Sequence, residues 1–430
     1  MNIDMGVLFM SFADHRKRLY ETLPENSLVL SFAGEPLHTN EDDYYSFEAN
    51  SQFFYLTGLE REKMALLAVK AGGKTTETLF IEQADPTHER WTGKMPTKEE
   101  ATSVSGVEDV RYLEDLSPLI SRAMGRSRIE YVYMDVYRCQ ESDLPDVNAL
   151  RAQDFMRKYP AVTLRDLRAA CVALREVKDE DEISLVRQAI GITRQGLERV
   201  MRTLKPGLTE YQAQANFEYT CQYLGATKFA FHTIAGSGKN GCMMHYVTNR
   251  AEMKDGQLLL MDLGAKYGNY CSDITRTFPV NGRYTPRQRE IYQLVLSANQ
   301  AVAQAAKPGV TLKDLNDLCK KVLAEGLIRL GLITDEKDVG KYYMHSVSHS
   351  IGIDCHDACF AGDVLQPGWI ISDEPGLYID EEEIGIRIED DLLITEFGCE
   401  VLSRDIPKDP DQIEWIMAGR AGSGEWKIQS

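Results

Sequence analysis

The segment Leu258–Pro279 reads LLLMDLGAKYGNYCSDITRTFP. Two apolar runs flank a turn at Tyr267-Gly268, which is the pattern of a β-hairpin. A two-residue turn there sets Asp262 directly across from Asp273, with Cβ atoms roughly 4.5–5.5 Å apart. Aspartate is depleted in strands, and opposed like charges destabilise a ladder. Two aspartates among Leu, Met and Ile therefore require a cation between them, or a shared proton.

The pattern returns downstream. Trp369–Ile379 reads WIISDEPGLYI and Ile384–Thr395 reads IGIRIEDDLLIT. A hairpin centred between Glu381 and Glu382 faces Glu374 with Glu389. Either acid pair alone also fits solvated charge on an edge strand. Two pairs together with clustered histidines fit a site better. Five of the eight histidines (His232, His245, His345, His349 and His356) fall within residues 232–356, less than a third of the chain. Four carboxylates and a histidine suit hard or borderline divalent ions rather than a mononuclear zinc or a thiolate centre. Bridging carboxylates hold two such ions roughly 3.5–4 Å apart, where they acidify a bridging water and clamp an oxyanion. The implied reaction is hydrolysis, of an amide or of a phosphoester.

Composition narrows the field further. The 430 residues carry 48 Lys+Arg against 66 Asp+Glu, a net charge of −18. That balance repels phosphate backbones and anionic lipid surfaces, so neither nucleic acid nor a membrane is expected as a partner. Apolar runs such as Leu258–Met261 are strand-sized, far below the ~18–20 residues of a membrane span. The opening MNIDMGVLFMSFADHRKR has no basic segment ahead of its short apolar stretch, so no secretory signal is expected. Nine irregularly spaced cysteines in a chain this long fit reduced thiols in a cytoplasm.

The length predicts two domains. Residues 1–175 read as an α/β domain, with strands expected at Ser27–Ala33, Phe53–Leu56, Ala65–Val69, Thr78–Glu82 and Arg128–Met134. Helices are expected at Asp14–Leu23 and Asp146–Tyr159. The charged stretch Arg175–Asp181 then opens a helix with apolar steps at Ile183, Val186, Ile190, Thr193, Leu197 and Val200. Thr209 with Gln212 and Thr285-Pro286 with Gln288 signal two further helix starts, and Thr311 a third. Strand pairs lie between and after these helices, so residues 176–430 are expected to be α+β. Residues Gly419–Ser430 read as a frayed tail.

Two decoys drop out. Gly236-Ser-Gly-Lys239 lacks the spacing of a phosphate loop. Cys355 and Cys359 flank His356, but a structural zinc needs four ligands and no second pair is near.

The longer motifs resemble a known family. MDLGAKYGNYCSDITRTFPVNG (261–282), HSVSHSIGIDCHD (345–357), EPGLYI (374–379), IRIEDD (386–391), GSGKNGCMMHY (236–246) and NSQFFYLTG (50–58) are similar to the proline-specific metallopeptidases of the pita-bread fold, aminopeptidase P above all. The resemblance implies a pita-bread catalytic domain (176–430) preceded by an α/β, creatinase/prolidase-like N-terminal domain (1–175) that serves oligomerisation and substrate access. It implies five metal ligands, Asp262, Asp273, His349, Glu374 and Glu389, holding two divalent ions, usually Mn2+ and sometimes Co2+ or Zn2+. It implies that a bridging hydroxide attacks the carbonyl before proline, with Glu374 as proton acceptor and donor. His245 and His356 would stabilise substrate and tetrahedral intermediate. His345, Arg387 and Tyr378 would line the proline end. Homodimers or homotetramers are implied, with Trp91 of RWTGK covering a neighbour's site. The substrates implied are peptides with proline second. Prolidase, restricted to Xaa-Pro dipeptides, shares most of these motifs. A catalytically inactive peptide-binding module of the same fold would have lost ligands that this chain keeps. Three positions depart from the usual pattern: Ser346 for Gly, Asp373 for a small apolar residue, and Gln52 where some members carry Asp. Strand alternation turns Asp373 away from the face of Glu374.

Overall fold

The structure, a computed structural model, describes residues 11–419 except Thr227 and Ala361. The readings of residues 1–10 and 420–430 lie outside the described residues. The chain divides into two compact units between Arg175 and Glu176.

In the first unit the elements run α1 (Phe12–Thr22), β1 (Ser27–Phe32), α2 (Ser51–Thr57), β2 (Ala65–Ala71), β3 (Lys74–Ile81), α3 (Pro86–Thr92), α4 (Lys98–Ser105), β4 (Val110–Tyr112), α5 (Leu116–Arg126), β5 (Tyr131–Met134), α6 (Val147–Lys158), β6 (Thr163–Asp166) and α7 (Leu167–Glu176). The six strands form one mixed sheet, ordered β4-β3-β2-β1-β5-β6. β1 pairs antiparallel with β2 and parallel with β5. Leu28, Leu30, Leu67, Phe80, Val132 and Phe155 belong to its buried core.

The strand expected at Phe53–Leu56 is a helix instead. Asn50 Oδ1 accepts from the backbone N–H groups of Gln52 and Phe53, and Gly58 ends the turn at φ 70°. Every residue from Gln52 to Thr57 is buried. A short run buried all round carries no period to tell helix from strand, so the caps decide. β4 and β6 were not anticipated; they are three and four residues long and only partly buried.

In the second unit, α8 (Glu180–Thr203) starts at an Asp179–Glu182 capping box and buries all six expected apolar positions. It packs on α9 (Glu210–Tyr223), whose N-cap is Thr209. β7 (Lys228–Phe229) and β8 (Ile234–Ser237) follow, then the acid-bearing hairpin β9 (Leu258–Leu263), β10 (Ala265–Tyr267), β11 (Tyr270–Cys271) and β12 (Ile274–Pro279). α10 (Pro286–Ala305) begins with Pro286 behind the Thr285–Gln288 capping box, and α11 (Leu312–Arg329) with Thr311 as N-cap. The chain closes with β13 (Ile370–Asp373), β14 (Gly376–Ile379), β15 (Ile384–Arg387), β16 (Asp390–Ile394), β17 (Cys399–Val401) and α12 (Pro410–Met417). The strands make small antiparallel sheets, β12-β9-β8, β11-β10-β7, β13-β16-β17 and β14-β15. No helix among the described residues is long and apolar enough to cross a membrane.

The first hairpin corrects the expected register. Its central pair is Gly268-Asn269, at φ 54° and 65°, as a type I′ turn demands, and not Tyr267-Gly268. Asp262 therefore lies opposite Thr275, not Asp273. Asp273 stands two residues along on the same face, where the ladder is interrupted. Gly264 permits that interruption, since a Cβ there would lie 1.8 Å from Ser272 O. The second hairpin keeps the expected centre. Gly376 pairs with Arg387 on one side of a gap, and Asp373 with Asp390 on the other. Glu374 and Glu389 sit in the gap, their backbone N–H groups donating to Val347 O and Thr275 O.

Candidate active site

Both hairpins and the loop before β13 open onto one cavity of about 720 Å3 in the second unit. Asp262 comes from β9, Asp273 from the break before β12, and Glu374 and Glu389 from the gap between the two ladders. All four line the cavity with His349. His349 Nε2 lies 3.4 Å from Asp273 Oδ2 and 3.5 Å from Glu374 Oε1. Ligand atoms of Asp273, His349 and Glu389 all fall within 4.8 Å of one another. The five residues of the implied ligand set thus converge, although Asp262 and Asp273 are diagonal neighbours rather than directly opposed.

The chemistry of this donor set fits divalent cations. Asp262 Oδ1 and Asp273 Oδ1 are buried and have no hydrogen-bond partner among the described residues. His349 Nδ1 donates to Ser350 O at 3.1 Å, which aims Nε2 at the carboxylates, the nitrogen a cation would take in exchange for its proton. Burial alone would lower the pKa of His349, yet Asp273 and Glu374 outweigh it and raise the value to about 9. Burial, aided by Asp273 and Glu374, lifts Asp262 to about 7 against the pull of Arg387. Burial likewise raises Glu374 and Glu389. So many buried acids pushed towards their neutral forms are what a cation site looks like before the cation's own charge is counted.

Around the acids runs a second layer of hydrogen bonds. Arg387 Nη2 pairs with Asp262 Oδ2 at 2.5 Å, and its Nε donates to Thr275 Oγ1 at 3.0 Å. Thr275 Oγ1 donates in turn to Glu389 Oε2 at 2.6 Å. Arg387 Nη1 donates to Tyr378 Oη at 2.7 Å, and Tyr378 Oη meets His345 Nε2 at 2.8 Å. His345 Nδ1 donates to Ser346 O, so its Nε2 accepts from the tyrosine. Burial and the nearby Arg387 lower His345 to about 4, which keeps the ring neutral. Burial and His349 lower His356 to about 4 as well. The His356 ring stacks on His349, centroids 3.9 Å apart.

His245, His345, His356 and Arg387 line the cavity; Tyr378 stands behind it, reached through Arg387 and His345. Trp91 belongs to the first unit, on α3, with 86% of its surface exposed. Of the departures, Ser346 lines the cavity. Asp373 takes a hydrogen bond from Asn299 Nδ2 at 3.1 Å and is not among the lining residues. Gln52 Oε1 accepts from Arg175 within the first unit. Sequence reasoning missed Thr275 and Phe231, and it set Cys355 aside as a zinc decoy although the residue lines the cavity. Cys355 Sγ donates to Asp273 Oδ2 at 2.9 Å. Thr275 becomes legible once the turn is centred on its two positive-φ residues, because that register sets it across from Asp262.

Comparison with known proteins places this architecture. Residues 184–396 match the model of metallopeptidase family M24, and residues 12–133 that of the aminopeptidase P N-terminal domain. The Xaa-Pro aminopeptidase of Escherichia coli K12 is 32% identical over 432 residues, spanning 94% of this chain and 97% of the relative. A structure of a candidate aminopeptidase P from Bacillus anthracis superposes with a TM-score of 0.93 at 39% identity, over 95% of this chain and 98% of that one. The E. coli aminopeptidase P bound to the inhibitor Pro-Leu gives a TM-score of 0.86 at 31% identity, over 95% and 98%. The fold is thus the pita-bread catalytic unit behind an aminopeptidase P-type N-terminal unit, and the chain belongs to metallopeptidase family M24 as one of its Xaa-Pro aminopeptidases, a metal-dependent exopeptidase and so a hydrolase.

Proposed function

We propose that the enzyme releases the N-terminal residue from peptides whose second residue is proline, and that Asp262, Asp273, His349, Glu374 and Glu389 hold two divalent cations, Mn2+ before Co2+ or Zn2+. The convergence of these five side chains in one cavity carries the reading. When bound there, the cations would supply an acidified water and a Lewis-acid grip on the scissile carbonyl. The remaining work falls to the chain's own groups.

A prolyl nitrogen has no N–H and must gain a proton as it leaves. Glu374, whose carboxyl burial holds above its ordinary range, takes a proton from the attacking water and returns it to that nitrogen. Arg387 pairs with Asp262, which favours its ionised form against the pull of burial, and orients Tyr378. His356, kept neutral by burial and by His349, and His245 beside it on the cavity wall donate hydrogen bonds to the carbonyl oxygen as it gathers charge. His345, its tautomer set by Ser346 and Tyr378, bounds the proline end.

The test is release of the first residue from Xaa-Pro-Yaa by protein loaded with Mn2+. Activity in wild type and its loss in Asp262→Ala support the reading; activity unchanged in that variant ends it. Cleavage of Xaa-Pro but never of Xaa-Pro-Yaa makes the enzyme a dipeptidase instead. The first unit, with Trp91 exposed, serves subunit association in a dimer or tetramer, which light scattering on wild type and Trp91→Ala checks. Nine unpaired cysteines support a reducing, cytoplasmic setting, for which fractionation is the measurement.

A further inference from the structure

The loop carrying His356 is tied at its base by a buried ion pair to which the proposed chemistry assigns no task. Lys178 Nζ lies 3.2 Å from Asp357 Oδ2, and each side chain is 1% exposed. The same ammonium donates to Ser350 Oγ at 3.3 Å. The backbone N–H of Asp357 donates to Ser350 O at 2.8 Å, so residues 350–357 close on themselves above Lys178. Lys178 is held in turn, its N–H donating to Gly368 O at 2.9 Å. Gly352 is required inside this closure: a Cβ there would lie 2.2 Å from Asp357 Oδ2 and 3.1 Å from Lys178 Cε. Its carbonyl accepts from Cys271 N–H at 2.8 Å, which fastens the loop to β11. The far side of the loop presents Cys355 and His356 to the cavity.

A buried ion pair adds little stability over an apolar pair of the same size. What it adds is direction, because an ammonium with fixed acceptors admits one loop geometry. We propose that Lys178 is a positioning residue which, through Asp357 and Ser350, sets the His356 ring against His349. This rests on the proposed role of His356 in the reaction. A displaced ring costs turnover more than binding, since orientation enters the transition state.

The experiment uses the full chain. Lys178→Met removes the charge and keeps the stem; Lys178→Met/Asp357→Asn removes both charges and decides the matter if the single variant does not fold. With Mn2+ bound, kcat on Xaa-Pro-Yaa is expected to fall about 10–100-fold in both, with KM within about threefold. Lys178→Arg is expected to restore part of kcat. In metal-free protein, amide exchange in residues 350–357 is expected to quicken while α8 and α10 keep wild-type protection. A folded double variant with wild-type kcat and wild-type exchange overturns the proposal. If wild type cleaves no Xaa-Pro peptide, the proposed function fails instead, and the exchange measurement, which needs no substrate, still decides whether Lys178 holds the loop.

Discussion

Thr275 shows how much one hydroxyl does in this site. It accepts from Arg387 and donates to Glu389, joining the guanidinium that pairs with Asp262 to a second acid of the cavity. Thr275→Val keeps the shape and breaks both bonds. Calorimetric titration of metal-free protein is expected to show Mn2+ bound 10–100-fold more weakly, and urea unfolding a loss of about 1–3 kcal/mol. Such residues were the least legible in the sequence, because a threonine in an apolar strand reads as an ordinary strand former until the register is known. The acids and histidines were legible for the opposite reason: charge inside apolar strands has no cheap explanation. Glu176 offers a second residue-scale prediction, on pH. Burial first, then Asp363, raises its carboxyl from 4.5 to about 7, while the Phe360 N–H pulls the other way. The folded state then binds more protons than the unfolded one between those values, so this site's contribution to stability falls as pH rises from about 4.5 to 7. In Glu176→Gln the fall is expected to shrink by about 1–2 kcal/mol, read as the difference in urea unfolding free energy between pH 5 and pH 7.5.

Among the elements, the β9–β12 hairpin depends on its turn. Gly268 and Asn269 both hold positive φ, which glycine and asparagine tolerate and β-branched residues do not. Asn269→Gly is expected to unfold within about 0.5 kcal/mol of wild type, and Asn269→Val to lose about 1–3 kcal/mol, both from denaturant midpoints. Asn269→Val is also expected to lose activity beyond its loss of stability, since the turn sets where Asp262 and Asp273 stand. Helix starts were legible because capping boxes are local, as Thr209–Gln212 and Thr285–Gln288 confirm. The turn was misplaced by one residue because Tyr-Gly and Gly-Asn are both plausible turn pairs. A shift of one residue in a hairpin's centre moves every partner by two, which keeps the face and changes the neighbour. That is why the acids still shared a cavity while their pairing did not hold. α2 was misread for the complementary reason, since nothing periodic survives in a run buried on all sides.

At the scale of the molecule, the five proposed ligands come from both hairpins and the loop between them, so metal held by them would be a cross-link within the second unit. Metal that binds the folded state alone stabilises it by RT ln(1 + [L]/Kd), about 2.7 kcal/mol at a hundredfold excess over Kd. Dialysis against EDTA is expected to lower the melting transition of the second unit, and Mn2+ to restore it. A separate transition from the first unit is expected to stay put in the same calorimetric scan. Restoration is expected to weaken as pH falls, because protons compete for Asp262, Glu374 and His349. The fold class followed from counting helix starts and strand pairs, whereas the order of strands in the first sheet did not, because two of its six strands are too short to announce themselves.

The two ladders of the second hairpin share one register across their gap, and the exposed loop 380–383 is what synchronises them. Surface loops ordinarily drift in length as well as in spelling. This one is free to drift in spelling only. One residue gained or lost there would slide β15 and β16 together against β13 and β14, and carry Glu389 out of step with Glu374. In lineages descended from this chain, its four positions should therefore accumulate substitutions while insertions and deletions are purged, so that an exposed turn outside the cavity lining behaves as a ruler.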